Sequence, residues 1–240
     1  MHPVLFEIGP FKVFSYGVAL ATAFLSASYL ARKKAISSGM DGDKILDLSV
    51  LLIISGIAGG RVLFVLLNLE EYLIRPADIF KLWEGGLVWY GGLILAVICA
   101  IIFLKVNKMP VLKTGDLIAP FVALGQAIGR IGCFLNGCCY GKPTDLPIGV
   151  TFPGMEVKVI PTQLIESAAM FALFLFLRGR KPSNGRTMLL YLLGYSVFRF
   201  LIEFFRGDNP AFLAGLTVSQ LISILIFIIS AIAWKLIPSK

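Results

Sequence analysis

The chain has 240 residues, of which 58% are hydrophobic and only 15% charged, with a net charge of +8. A soluble domain carries about 25% charged residues, so the composition excludes an ordinary soluble globule and points to a membrane protein. Hydrophobic runs of about 18 residues or more carry the same message.

The N-terminus, MHPVLFEIGPFKVFSYG, lacks a basic leader region and a small-residue cleavage site, so the first hydrophobic run reads as a retained span. In chain order, seven spans are expected near 13–31, 45–67, 87–104, 114–135, 162–177, 187–205 and 214–234. The fifth is short for a full crossing. The expected fold is therefore an all-α bundle of about seven transmembrane helices, forming one integral domain over 1–240.

Basic residues alternate between the connecting loops. One side holds thirteen: Arg32, Lys33, Lys34, Lys44, Lys105, Lys108, Lys113, Arg178, Arg180, Lys181, Arg186, Lys235 and Lys240. The other holds six: Lys12, Arg75, Lys81, Lys142, Lys158 and Arg206. The richer side is cytoplasmic by the positive-inside rule, which sends the N-terminus outside and the C-terminus inside. The positive charge is thus a topology signal with membrane lipids as partners, and no nucleic acid is expected.

Three basic residues fall within spans: Arg61, Arg130 and Arg199. Charge at membrane depth is costly and marks functional candidates; the bland alternative is a structural ion pair. Under the expected topology Tyr16, Arg61, Tyr90, Arg130, Glu166, Arg199 and Glu203 all reach the outer half of the bilayer. Asp47 and Asp116 lie near inner span ends and read as helix-start charges. Arg199, Glu203 and Arg206 share one helix face by their spacing. Glu after Arg is the weaker orientation for an intrahelical pair, which leaves room for an outside partner. With Arg61 included the arginines outnumber the nearby carboxylates, and such a cluster suits a phosphate. Gly125–Gly129 and Gly56–Gly60 are small-xxx-small pairs of the kind that let helices approach.

The segment GRIGCFLNGCCYG (129–141) carries Cys133, Cys138 and Cys139. There is no CxxC pair and the sole histidine, His2, is remote, so neither a zinc site nor a redox motif is spelled out. Structural packing and a disulfide of unspecified pairing stay open; a catalytic thiol lacks a histidine base. Cys99 reads as a small buried hydrophobe.

GRIGCFLNGCCYG resembles the signature of prolipoprotein diacylglyceryl transferases. FSYG at Tyr16, GGR at Arg61, WEGGLVWYGG at Tyr90, PTQLIE at Glu166 and FRFLIEFFR at Arg199 follow in the family's order. The resemblance covers nearly the whole chain and implies a bacterial inner-membrane enzyme whose active site opens outward. It implies transfer of the diacylglyceryl group of phosphatidylglycerol to the lipobox cysteine of a prolipoprotein signal peptide, leaving a thioether and glycerol phosphate, with no cofactor and no metal. It assigns catalytic roles to Arg130, Arg199, Tyr90 and Glu203, with Glu203 orienting Arg199. Lipid binding falls to Arg130, Tyr16, Arg61, Asn136, Gly141 and Glu166. The nucleophile belongs to the substrate, so the enzyme's own cysteines need not react. The chain departs from the commonly described pattern at Tyr90, where the family has a histidine, and at Ile160, where one often precedes PTQ. Cys133 and Cys138 replace an Asn and a Glu. A non-enzymatic lipid-binding relative is the alternative. An anionic-solute transporter is disfavoured, because the polar residues do not line a path to the inner face.

Overall fold

The computed structural model describes residues 3–9 and 11–237; His2 and Lys240 lie outside the described residues. The chain packs as two compact units, one of residues 1–31 with 112–240 and one of residues 32–111.

The larger unit opens with an antiparallel hairpin, β1 (Val4–Ile8) and β2 (Phe11–Phe14), a strand element that the all-α expectation omitted. Gly9, at φ 58°, supplies the left-handed residue between the strands. Helix α1 (Ser15–Ser37) follows directly, the Ser15 amide donating back to the Pro3 carbonyl. Helices α5 (Val111–Asn136), α6 (Thr162–Arg178), α7 (Arg186–Glu203) and α8 (Val218–Leu236) complete this unit.

Small residues let α5 sit deepest: Ala119, Ala123, Ala127 and Gly132 are buried along it. Its polar contacts tie it to two neighbours. Ser167 of α6 donates to the Ala127 carbonyl, and Tyr191 of α7 donates to Gln126. The close approach to α1 is made at Gly132, where a β-carbon would lie 2.7 Å from Ala19 Cβ. Gly129 faces open space and Gly125 is in ordinary contact only, so the expected Gly125–Gly129 pair is not the packing seam.

Asp116 also takes a different part from a helix-start charge on its own helix. Its carboxylate, buried within α5, accepts from the amides of Ser183, Gly185 and Met188, and so caps the start of α7. An N-terminal turn presents unpaired N–H groups and positive potential, which a buried carboxylate satisfies. Helix α8 starts at the sequence Thr217-Val-Ser-Gln220 as a capping box, four residues later than the hydropathy alone suggests.

In the smaller unit α2 (Gly42–Leu67) starts at Asp41, whose side chain accepts from the Asp43 and Lys44 amides. A short helix α3 (Leu69–Ile74) and two 3₁₀ turns lead into α4 (Trp89–Val106). Helices α2 and α4 cross on glycine. The expected pair was Gly56–Gly60; the crossing uses Gly59 against Gly91 and Gly56 against Gly92. A methyl on Gly92 would lie 2.6 Å from the Gly56 carbonyl oxygen, whereas a methyl on Gly56 meets nothing within 4 Å. Gly92→Ala is therefore expected to cost about 1–3 kcal/mol, read as a lower thermal midpoint of purified protein in detergent. Gly56→Ala should match or exceed wild type, since alanine is the better helix former. Equal midpoints for the two variants would remove the glycine crossing as the reason.

Each of the seven expected segments holds one long helix. Four of these, α2, α4, α5 and α8, are long and apolar enough to cross a membrane. Leu66, Ile98, Phe176 and Leu225 are exposed on their helices. Exposed apolar side chains of this kind suit a lipid solvent.

Candidate active site

Apart from Asp116, the larger unit gathers its buried charges at the ends of α5 and α7 and the start of α6. Glu166, one turn into α6, is at the centre. One carboxylate oxygen pairs with Arg130 Nε of α5; the other accepts from Arg199 Nη1 of α7 at 2.9 Å. Arg199 Nη2 reaches Glu203 at 2.9 Å and donates to Ser219 Oγ at 3.1 Å. The intrahelical pair and the outside partner therefore coexist on Arg199.

Glu203 is held from its other side. Its second oxygen accepts from Asn209 Nδ2 at 2.6 Å and from Thr217 Oγ1 at 2.8 Å. Arg206 is taken in fork geometry by Asp208, at 2.9 and 2.6 Å. Three guanidiniums thus meet three carboxylates, and the cluster is close to neutral. The excess of positive charge inferred from sequence depended on Arg61, which belongs to the other unit.

The arginines differ in what they have left to offer. Arg199 and Arg206 have both terminal nitrogens in ion pairs or hydrogen bonds. Arg130 is anchored through Nε alone; among the described residues neither of its terminal nitrogens has a hydrogen-bond partner. Its side chain is a quarter exposed. A guanidinium fixed at one edge presents the other edge as a fork suited to phosphate or carboxylate.

Tyr16, in the first turn of α1, packs over Gly132, two residues beyond Arg130, and its phenol lies within electrostatic reach of Arg130. Asn136 ends α5 and is exposed. Gly141 is buried where three chain segments meet: its amide donates to the Ile160 carbonyl, and the next amide, of Lys142, donates to Phe205. A β-carbon there would lie 2.7 Å from the Phe205 oxygen and 2.8 Å from Ile160 Cβ. The glycine is required by that backbone approach.

Arg61 is held by backbone carbonyls. Its Nε donates to Ile79 O at 2.8 Å, Nη1 to Gly85 O and Gly86 O at 2.7 and 3.2 Å, and Nη2 to Asp78 O at 2.6 Å. The guanidinium also lies over the rings of Tyr72 and Phe64. Four of its five N–H donors hold the loop between α3 and α4, which leaves little for a lipid phosphate. Tyr90 opens α4 in that same unit, edge-to-face with Trp89.

The turn after α5 is fixed by two buried side chains of α6. Gln163 Nε2 donates to Cys138 O at 2.7 Å, and Thr162 Oγ1 donates to Cys139 O at 2.9 Å. Cys133, Cys138 and Cys139 are free thiols whose sulfurs all lie within 4.8 Å of one another. Hydrogen bonding with Cys133 and Cys138, then the positive charge of Arg206 and Arg130, holds the Cys139 thiol below its ordinary range. Sequence reasoning missed this convergence, because the spacing matches no familiar ligand pattern. It also missed Asn209, Thr217 and Ser219, although the Thr217–Gln220 capping box is legible in the sequence.

A prolipoprotein diacylglyceryl transferase family profile matches residues 3–236. Similar curated proteins are named phosphatidylglycerol–prolipoprotein diacylglyceryl transferase. The Clostridium tetani protein is 38% identical, covering 98% of both chains. The protein numbered 2 of that name from Clostridium perfringens is 37% identical, covering 95% of this chain and 92% of its own. A Legionella pneumophila relative is 35% identical, covering 98% and 96%.

Proposed function

We infer the mechanism from one premise: the chain belongs to the prolipoprotein diacylglyceryl transferase family. It is a multi-pass membrane transferase that moves the diacylglyceryl group of phosphatidylglycerol to a prolipoprotein, the first step of lipoprotein maturation. The acceptor is the lipobox cysteine of the signal peptide. Its sulfur attacks the glyceryl carbon, a C–S bond forms, the C–O bond to phosphate breaks, and glycerol phosphate leaves with the electron pair.

The observation that carries the residue assignment is the open edge of Arg130. Its two terminal nitrogens are the donors available to the lipid phosphate, and they stabilise the negative charge that grows on the departing oxygen. Glu166 sets their direction through Nε. Arg199 and Glu203 hold Glu166 in turn, with Asn209, Thr217 and Ser219 fixing that pair. Tyr16 offers a hydroxyl to the lipid headgroup, and Asn136 belongs to the same binding turn. The acceptor thiol, with an ordinary pKa near 8.5, needs only modest lowering by nearby positive charge. The purified protein should convert phosphatidylglycerol and a lipobox peptide to a diacylglyceryl-modified peptide detectable by mass, and should rescue a transferase-depleted bacterium. Lipid binding without product in both assays would favour the non-enzymatic alternative.

All seven long helices cross the inner membrane in this reading, with the N-terminus outside, the C-terminus inside and the active site toward the outer face. The alternation of basic loops supports it. Cysteines introduced near Lys34 and Ser183 should be protected from an impermeant reagent in intact cells and labelled after lysis. Labelling of either in intact cells would reverse the topology.

Tyr90, where the commonly described pattern has histidine, donates a hydrogen bond toward a phosphate or glycerol oxygen; a phenol is a poor base near neutral pH. Tyr90→Phe should lower turnover by less than Arg130→Ala and leave the pH–rate profile in place. A Phe variant as inactive as the arginine variants, in an enzyme whose rate rises with pH through a phenol ionisation, would make Tyr90 the base.

A further inference from the structure

The three thiols at the end of α5 are not needed for the transfer chemistry, yet the fold brings them together with some care. Cys133 lies in the last turn of α5, and Cys138 and Cys139 follow the helix end. Adjacent residues in an extended chain send their side chains to opposite sides. Here Gly137 at φ 76° turns the chain, and Cys139 itself adopts φ 64°, a left-handed conformation that a residue with a β-carbon adopts at a cost. The Cys138 and Cys139 sulfurs end 3.7 Å apart. Gln163 and Thr162, both almost fully buried, hold the two cysteine carbonyls, so the turn is fixed from outside the sulfur group.

We propose that Cys133, Cys138 and Cys139 form a three-sulfur site for a soft monovalent metal ion of the Cu(I) class. A metal–sulfur bond of about 2.3 Å in trigonal geometry separates the sulfurs by about 4.0 Å, and all three lie within 4.8 Å of one another. Thiolate donors select soft ions. Arg130 and Arg206 lie within electrostatic reach of the turn. The number of donors decides between soft ions. Zinc takes four ligands in a structural site, and among the described residues no histidine, carboxylate or fourth cysteine joins this group. A monovalent d¹⁰ ion is satisfied by three thiolates.

The test reads metal uptake and is independent of transfer. Full-length protein is purified in detergent, reduced, and titrated anaerobically with Cu(I) against a chromophoric Cu(I) chelator. One ion per chain should be retained, and X-ray absorption at the copper edge should show sulfur-only coordination. Cys133→Ser, Cys138→Ser and Cys139→Ser should each weaken retention by about tenfold or more, at least the effect of losing an outer-shell partner. Cys99→Ser should leave it unchanged. If a serine variant fails to accumulate, alkylated wild-type protein takes its place, and uptake that survives alkylation overturns the site. Retention by wild type no greater than by the triple serine variant also overturns it. Zn(II) bound in preference to Cu(I) in a parallel titration overturns the monovalent assignment.

Discussion

Arg130→Ala is expected to lower the transfer rate by at least about 10²–10³-fold, the scale of losing one preorganised donor to a developing anion, while the protein still accumulates in membranes. The expectation follows from its one-sided anchoring. Glu166 grips Nε and leaves the other edge of the guanidinium for the lipid. Truncation leaves the buried Glu166 still paired with Arg199 at 2.9 Å. Arg130→Lys should recover only a small part, since an ammonium cannot both pair with Glu166 and present a two-pronged edge. Arg199→Ala should reach a similar loss by another route. Arg199 bridges Glu166 and Glu203 and touches Ser219, so its removal frees Glu166 to swing and leaves Glu203 facing fewer donors. A lipobox-peptide assay across phosphatidylglycerol concentrations separates the two, together with a thermal melt. Arg130→Ala should melt near wild type, and Arg199→Ala below it. Near-normal product from either variant would take that arginine out of the mechanism.

Much of this site was legible because membrane depth makes charge conspicuous. Arg130, Glu166, Arg199 and Glu203 stand out in apolar runs, and their convergence follows once the helices are laid in order. What the helices do at their ends was less visible. Arg61 looks like Arg130 in sequence, an arginine following paired glycines or a lone one in a span. Its fate is decided by four backbone carbonyls 17 to 25 residues downstream, which hydropathy does not encode. Asp116 was taken for a charge serving its own helix and instead caps one that begins seventy residues later. The α2 glycine seam was placed one residue off, at Gly60 and not Gly59, because small-xxx-small spacing says that helices approach without saying which face does so. The hairpin at 4–14 was missed since its alternation is short and runs into a hydrophobic helix.

Glu166→Gln is the second large effect, and it separates charge from geometry. The buried cluster holds three arginines and three carboxylates. Removing one negative charge makes it net positive, and a lipid phosphate would then be drawn in more strongly if recruitment depended on charge alone. The geometric reading gives the opposite result for turnover. An amide offers one acceptor oxygen where the carboxylate offers two, so either Arg130 or Arg199 faces an N–H donor. Arg130 loses its fixed edge and the phosphate fork loses its aim. Turnover should fall about 10²-fold or more, with the KM for phosphatidylglycerol unchanged or lower. Breaking a buried pair by deleting one partner also costs about 3–5 kcal/mol, so the thermal midpoint should drop clearly. Glu166→Asp keeps the charge but is one methylene shorter and cannot reach both arginines, so it should retain stability better than turnover. The measurement is kcat and KM for the three proteins with one peptide and one lipid. A Gln variant with raised KM and undiminished kcat would mean that Glu166 meets the lipid itself, and would end its assignment as the residue that aims Arg130.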